Sequence, residues 1–388
     1  MTQADLYETV RQKLSIGAIK TPSHEKVFEL MKVFWNEQEI KLLSYFPKSG
    51  KLISIQELVE KCNGEMSKSE VRSLLNNAAK RHTIAKIGTK YGLVPLIPGV
   101  FEGYFMSRAD SKENIKKAAI LYRFIIKNTP SFTTMIEEVQ SKFGQSPITS
   151  PLLPYDAQAR LIKIDEPVNI ERKVLSIELV KDLIDKNDTF ASLTCPCRLV
   201  GEMSGEPCKV APAELGCFVV GVAAKLAIQA GFGRPLTKEQ AIEYIKKTEE
   251  AGLVHNAMGS NNDQFYSICN CCKCHCGALL PASQTKLRLK FVSPSNFTPQ
   301  RQPEQCTLCE TCLNMCPMEA ISHPTGEDTL ILNPSLCIGC GVCAANCPEN
   351  AILMVKVRSG RPDSFESMPR EADEISFKDL FLAIIAGP

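Results

Sequence analysis

The chain has 388 residues, 44% of them apolar and 23% charged, with a formal net charge of +2. Those are the proportions of a soluble globular protein, and so weak a net field excludes a general attraction to nucleic acid, anionic membranes or acidic substrates. Sulfur is what stands out: of 18 cysteines, all but Cys62 fall between Cys195 and Cys347.

The opening "MTQADLYETV" carries no basic segment followed by an apolar one, so no secretory leader is expected. No apolar run reaches the roughly 18 residues of a membrane span. The longest, "CFVVGVAAKLAIQAG", is interrupted by Lys225. A cytoplasmic protein with no membrane partner is the expectation, and in that reducing compartment closely spaced cysteines signal metal or redox chemistry.

The predicted fold class is α+β and multi-domain. Residues 1–100 read as a helical, winged-helix-like domain. "NEQEIKLLSYF" has helical spacing, and "ISIQELVEKCNG" is a second helix stopped by Asn63-Gly64, with Cys62 in its apolar stripe. Ser67 with Glu70 forms a capping box that opens "KSEVRSLLNNAAKRH". "TIAKIGTKYGLVPL" reads as a hairpin turning near Gly88-Thr89. Three helices followed by a hairpin resemble a winged helix. On the third helix Val71, Leu74, Leu75, Ala78 and Ala79 face inward, and Ser69, Arg72, Ser73, Asn76 and Lys80 face outward. Between residues 66 and 90, Lys68, Arg72, Lys80, Arg81, Lys86 and Lys90 stand against Glu70 alone. That balance would suit phosphate contact with DNA; the favoured alternative is a solvated face on a protein-docking module or scaffold. Residues 101–150 add two amphipathic helices as a connector, "DSKENIKKAAILYRFIIKN" and "SFTTMIEEVQSKFG", followed by the Pro-rich "QSPITSPLLPYD".

Residues 151–292 read as a cysteine-rich α/β module. "RKVLSIELVKDLIDKND" suggests a strand and a helix, and "TFASLTCPCR" a strand that delivers Cys195 and Cys197 at its end. "GCFVVGVAAKLAIQAGFG" reads as one buried helix closed by Gly231 or Gly233. Thr237 and Gln240 cap "KEQAIEYIKKTEEAG", and "LVHN" and "FYSICNCC" are short strands. Nine thiols are candidate metal ligands: Cys195, Cys197, Cys208, Cys217, Cys269, Cys271, Cys272, Cys274 and Cys276. In an extended "CNCCKCHC", Cys269 and Cys271 point one way and Cys272, Cys274 and Cys276 the other. Neighbours on one face then stand about 6.5 to 7 Å apart. That is too wide for one zinc ion, whose Zn–S bonds are about 2.3 Å, and suits separate irons better. One or two further iron–sulfur clusters are therefore favoured over zinc and over redox-active thiols. The Cys-x-Cys-Arg, "GLVHN" and "CNCC" pattern resembles a module of iron–sulfur proteins of anaerobes. Arg198 would offset cluster charge or, alternatively, cap a surface carboxylate. His275, between two cysteines, is a candidate to ligate metal or relay a proton, with a structural role the favoured alternative, and His255 likewise reads more readily as a structural histidine.

After the linker "VSPSNFTPQRQPEQ" come two matching runs. They are Cys306-x2-Cys309-x2-Cys312-x3-Cys316-Pro317 and Cys337-x2-Cys340-x2-Cys343-x3-Cys347-Pro348, an internal repeat of 31 residues. Two residues between ligands let a tight loop wrap three corners of a cluster, and the longer gap with proline turns the chain toward a second site. Zinc ribbons pair two-cysteine knuckles and have no need of the fourth cysteine. Residues 303–356 resemble the bacterial-type dicluster ferredoxins. That resemblance implies two 4Fe-4S clusters, one on Cys306, Cys309, Cys312 and Cys347, the other on Cys337, Cys340, Cys343 and Cys316. Gly339 and Gly341 would allow close backbone approach where the first run has Leu308 and Glu310, and Ile321 and Ile352 would shield the clusters from water. The tail 357–388 ends in "FKDLFLAIIAG", a short amphipathic helix.

Gly-x-Gly-x-x-Gly and P-loop fingerprints are absent. The function expected is low-potential electron transfer to or from a partner oxidoreductase. A reductase with its own cluster in the central module, and a redox-sensing transcription regulator, are the alternatives.

Overall fold

The computed structural model describes residues 2–15, 20–128, 149–156, 162–163, 179–259, 265–277, 279–280 and 292–358. The expected helix in "SFTTMIEEVQSKFG", the strand before Leu179 and the helix in the tail lie outside them.

Helices α1 (Gln3–Lys13), α2 (Glu25–Phe34) and α3 (Glu37–Leu43) open the chain, the last held by an Asn36–Glu39 capping box. Strand β1 (Ile53–Ser54) runs into α4 (Ile55–Lys61) through a Ser54–Glu57 box. Asn63 and Gly64 then turn left-handed, at φ 47° and 83°, where the sequence places the stop. Helix α5 (Lys68–Lys80) starts at the expected Ser67–Glu70 box. Strands β2 (Ala85–Ile87) and β3 (Lys90–Gly92) make the hairpin, and β1 joins it in the order β1-β3-β2. Val71, Leu75, Ala78 and Ala79 are buried, and Ser69, Arg72, Ser73, Asn76 and Lys80 are exposed. Arg81 departs from the expected basic footprint: it pairs with Glu39 at 2.6 Å and donates to the Phe34 carbonyl, so it serves the fold.

Helices α6 (Phe101–Ser107) and α7 (Lys112–Asn128) complete this unit around buried Trp35, Tyr104 and Tyr122. Its core also takes in Leu199, Val200 and Ala213 from the cysteine-rich region.

Next come β4 (Ser150–Pro151), β5 (Ile162–Lys163), α8 (Val180–Asp185), β6 (Phe190–Ser192) and α9 (Pro196–Met203). They are followed by β7 (Phe218–Val220), α10 (Gly221–Gln229), β8 (Arg234–Leu236), α11 (Lys238–Glu250), β9 (Val254–Gly259) and β10 (Phe265–Cys271). Six strands pair in the order β4-β9-β10-β7-β6-β8. Every pairing is antiparallel, in place of the parallel ladder that an α/β reading implies. The expected single helix in "GCFVVGVAAKLAIQAGFG" is corrected too, because its first apolar residues form β7. Phe218 and Val220 bury against Tyr244 and Ile245 of α11, while Val219 meets Ala223, Ala224 and Ala227 of α10. A fully apolar triplet inside a two-sided sheet has no periodicity that separates it from a helix.

The last unit holds β11 (Phe297–Arg301), α12 (Thr311–Met315), β12 (Ile321–Ser322), β13 (Ile331–Leu332), α13 (Val342–Ala345) and β14 (Ile352–Lys356). β14 pairs antiparallel with β11 and parallel with β5, and β12 pairs with β13.

Candidate metal centres

The sequence repeat is also a backbone repeat. Leu308 and Glu310, at φ 55° and 60°, match Gly339 and Gly341 at 66° and 75°, and Glu319 matches Asn350, both at 51°. Left-handed residues let each loop curl around its cysteines. Glycine has a second cause in the later run. A Cβ on Gly339 would lie 2.2 Å from the Phe297 carbonyl oxygen, and one on Gly341 would lie 2.7 Å from Pro154 Cδ. Leu308 and Glu310 adopt the same backbone at a cost of about 1–2 kcal/mol each.

Cys306, Cys309, Cys312 and Cys347 line one cavity, with Leu330 and Ile352 on its wall. Cys337, Cys340, Cys343 and Cys316 line another, with Ile321, Leu332 and Ile338. The fourth cysteine of each run therefore crosses to the other run's cavity, and Ile352 lines the first cavity and Ile321 the second. Backbone N–H groups of Ala320, Ala351 and Gly339 donate to the sulfurs of Cys316, Cys347 and Cys337 at 3.3, 3.2 and 3.4 Å. Apolar walls, four thiols and inward N–H donors fit a thiolate-bound cubane. Burial pushes the Cys312, Cys337 and Cys343 thiols up. Because metal takes thiolate, loading these sites releases protons.

The central thiols divide into two groups, not by the alternation of a continuous strand. β10 ends at Cys271 and the chain turns over residues 273–275. Among the described residues no strand pairs beyond Cys271, so the extended reading of "CNCCKCHC" fails in its second half, and Cys276 leaves the face expected for it.

The first group is Cys195, Cys197, Cys217, Cys269, Cys271 and Cys276. Cys195 stands just before α9, and Pro196 in the next position fixes the entry to the helix. Gly216 is required beneath it, since a Cβ there would lie 2.3 Å from the Cys195 nitrogen. Cys195 lies beside Cys197, and Cys271 beside Cys269 and Cys276. Cys217 Sγ lies 3.7 Å from Cys269 Sγ. Cys197, together with the Arg198 charge, brings the Cys195 thiol down to about 6. Cys271 is held low by Cys269 and Cys276. Thiolate is the ligating form.

The second group is Cys208, Cys272, Cys274 and His275, whose ligand atoms all lie within 4.8 Å of one another.

Arg198 sits between the groups and is 1% exposed. It donates to the carbonyls of Pro212 at 3.1 Å, Asn270 at 2.9 Å and Leu215. Cys195, Cys272 and Cys271 supply the negative charge it faces. The surface-carboxylate alternative is thereby excluded, because a buried guanidinium needs its counter-charge beside it. His255 is structural, as expected: Nδ1 lies 2.7 Å from Asn270 Oδ1 and Nε2 lies 3.2 Å from Glu249 Oε1.

Asn256 was not singled out from sequence. It is fully buried, opposite Cys269 in the β9–β10 ladder and beside the Cys271 thiol. Among the described residues neither polar atom of its amide has a hydrogen-bond partner of normal geometry. An orphaned buried amide is costly, and an anionic sulfur centre next to Cys271 would satisfy it. Its place in the quoted "GLVHN" was the signal available.

Paired four-thiol cavities with crossed ligands define a dicluster ferredoxin domain. Residues 305–352 match the 4Fe-4S dicluster domain family, and the domain carries 4Fe-4S clusters. The chain is 40% identical over 88 residues to hydrogenase-4 component A of Escherichia coli (strain K12), covering 22% of this chain and 40% of that protein. It is 35% identical over 82 residues to an uncharacterized ferredoxin of Methanocaldococcus jannaschii, covering 21% and 48%. A ferredoxin of Rickettsia felis is 34% identical over 77 residues, covering 19% and 64%. The chain thus spans between 40% and 64% of the length of these relatives. No solved structure matches it. No helix among the described residues is long and apolar enough to cross a membrane.

Proposed function

We propose that the chain is an iron–sulfur electron-transfer protein that relays low-potential electrons to or from a partner oxidoreductase. Cys306, Cys309, Cys312 and Cys347 would hold one 4Fe-4S cluster, and Cys337, Cys340, Cys343 and Cys316 the other. The group of Cys195, Cys197, Cys217, Cys269, Cys271 and Cys276 would hold a further cluster. When bound, the clusters supply one-electron chemistry.

One observation carries the reading. Cys269, Cys271 and Cys276 pack into the same apolar cluster as Cys316, Cys337 and Cys340, with Val254, Met318, Ile338 and Val342 between and around them. The central thiols therefore share one apolar cluster with ligands of the second ferredoxin cavity. Arg198 offsets thiolate charge, Asn256 offers its amide to the same centre, and the apolar wall excludes water. A hydrogenase component among the relatives supports an oxidoreductase complex as the partner.

The helix–strand–helix–helix–hairpin order at residues 37–92 supports a winged-helix reading of the N-terminal unit, used for docking. The surplus of thiols in the central group over the four that one cubane takes supports a second reading, a reductase acting there directly.

Iron and acid-labile sulfide quantitation with EPR, on protein purified without oxygen, is the test. About twelve irons per chain are expected, four for each of three cubanes; about eight would remove the central cluster. Reduction of a substrate by the purified chain and a chemical donor, with no partner protein, would establish the reductase.

A further inference from the structure

The second group differs from every site above in including a histidine. We propose that Cys208, Cys272, Cys274 and His275 hold a single Zn²⁺ in a closed tetrahedral site, separate from all iron–sulfur clusters, which staples the central turn to the N-terminal helices.

Spacing is the first argument. Four ligands about 2.0–2.3 Å from one ion stand under about 4 Å apart. The four ligand atoms here lie within 4.8 Å of one another, and Cys208 Sγ and Cys274 Sγ are 3.4 Å apart. The turn at residues 273–275 achieves what an extended strand could not, bringing Cys272 and Cys274 to one point.

The histidine is preset for metal. His275 Nε2 lies 2.7 Å from the Glu206 carbonyl oxygen, so it carries the proton and donates there. That leaves the Nδ1 lone pair facing the thiols, 3.1 Å from Cys274 Sγ. Fixing the tautomer through the far nitrogen is how ligating histidines are oriented. Gly201 makes the room: a Cβ on it would lie 2.2 Å from His275 Cδ2.

Charge and softness also agree. Three thiolates and Zn²⁺ leave one negative charge, which buried Arg198 beside Cys272 faces. A soft S₃N tetrahedral set selects zinc over hard cations. With four protein ligands the site has no open position, so its role is structural. Its outer bonds reach the first unit. Arg123 of α7 donates to the Cys274 carbonyl at 3.2 Å and to Glu206 at 3.0 Å, and Lys127 pairs with Glu206.

Zinc-edge X-ray absorption and metal analysis on the full chain, purified without oxygen, test this. We expect about one zinc per chain, with three sulfurs at about 2.3 Å and one nitrogen at about 2.0–2.1 Å. Less than half an equivalent of zinc, or a shell without that S₃N composition, overturns the proposal. His275→Ala should remove zinc while iron and sulfide per chain stay at the wild-type value, and His275→Cys should restore zinc with a four-sulfur shell. A matching fall in iron and sulfide in His275→Ala would assign these residues to a cluster and also overturn it. If His275→Ala does not accumulate as folded protein, the wild-type absorption spectrum decides. The iron count that tests the proposed function is a separate reading.

Discussion

Leu308 and Gly339 occupy the same place in the ferredoxin repeat and the same left-handed backbone, yet only one of them has room for a side chain. Gly339→Ala must displace Phe297, which pairs with Lys356 in the β11–β14 ladder beside the second cavity. The expected outcome is loss of one cluster, about four irons, with one EPR signal missing, while Leu308→Gly leaves iron content unchanged. Arg198 makes a second residue-scale case. Arg198→Leu strands three carbonyls, at roughly 1–3 kcal/mol for each unsatisfied group. Anaerobic denaturation should show several kcal/mol of lost stability, and wild-type stability in that variant would refute the role given to the guanidinium.

At the scale of elements, the capping boxes are the most transferable statements. Ser67 accepts from the Glu70 N–H, and the Glu70 carboxylate accepts from the Ser67 N–H at 2.7 Å. Ser67→Ala should cost about 1 kcal/mol in chemical denaturation and leave the iron content as it is. At the start of α6, burial pushes the Glu102 carboxyl up to about 7, despite a hydrogen bond from the Gly99 N–H at 2.6 Å. The folded state thus holds a proton that the unfolded chain releases near its ordinary value of 4.5. Stability from this group is full below that value and falls as pH rises from about 4.5 to about 7. Comparing denaturation midpoints of the wild type and Glu102→Gln across that window should show a flatter pH slope in the variant; parallel slopes would exclude the effect. The elements also separate what local signals disclose from what they hide. Caps at Ser67 and Thr237 and the hairpin at Gly88 were readable because side chain and backbone a few residues apart decide them. β7 was not, since its strand character comes from β6 and β10 on either side.

For the whole molecule, the shared core of the N-terminal helices with Leu199, Val200 and Ala213 joins the helix carrying Cys197 to the first unit. On the proposed function, the N-terminal unit docks a partner and is not an independent DNA-binding head. With Arg81 tied to Glu39 and a net charge of +2, the purified holoprotein should show no salt-dependent shift of a random DNA duplex. A shift that weakens steeply with salt would restore the regulator.

The amino-acid order by itself determined the ferredoxin centres. Three cysteines at two-residue intervals can wrap one cluster in only a few ways, and the longer gap with proline turns the fourth toward the neighbouring cavity. It could not divide the nine central thiols. Their partition depends on where β10 loses its partner strand, on the turn at residues 273–275, and on Arg198 and Asn256 arriving from elements distant in sequence. Those are long-range contacts, and spacing along a chain carries no record of them.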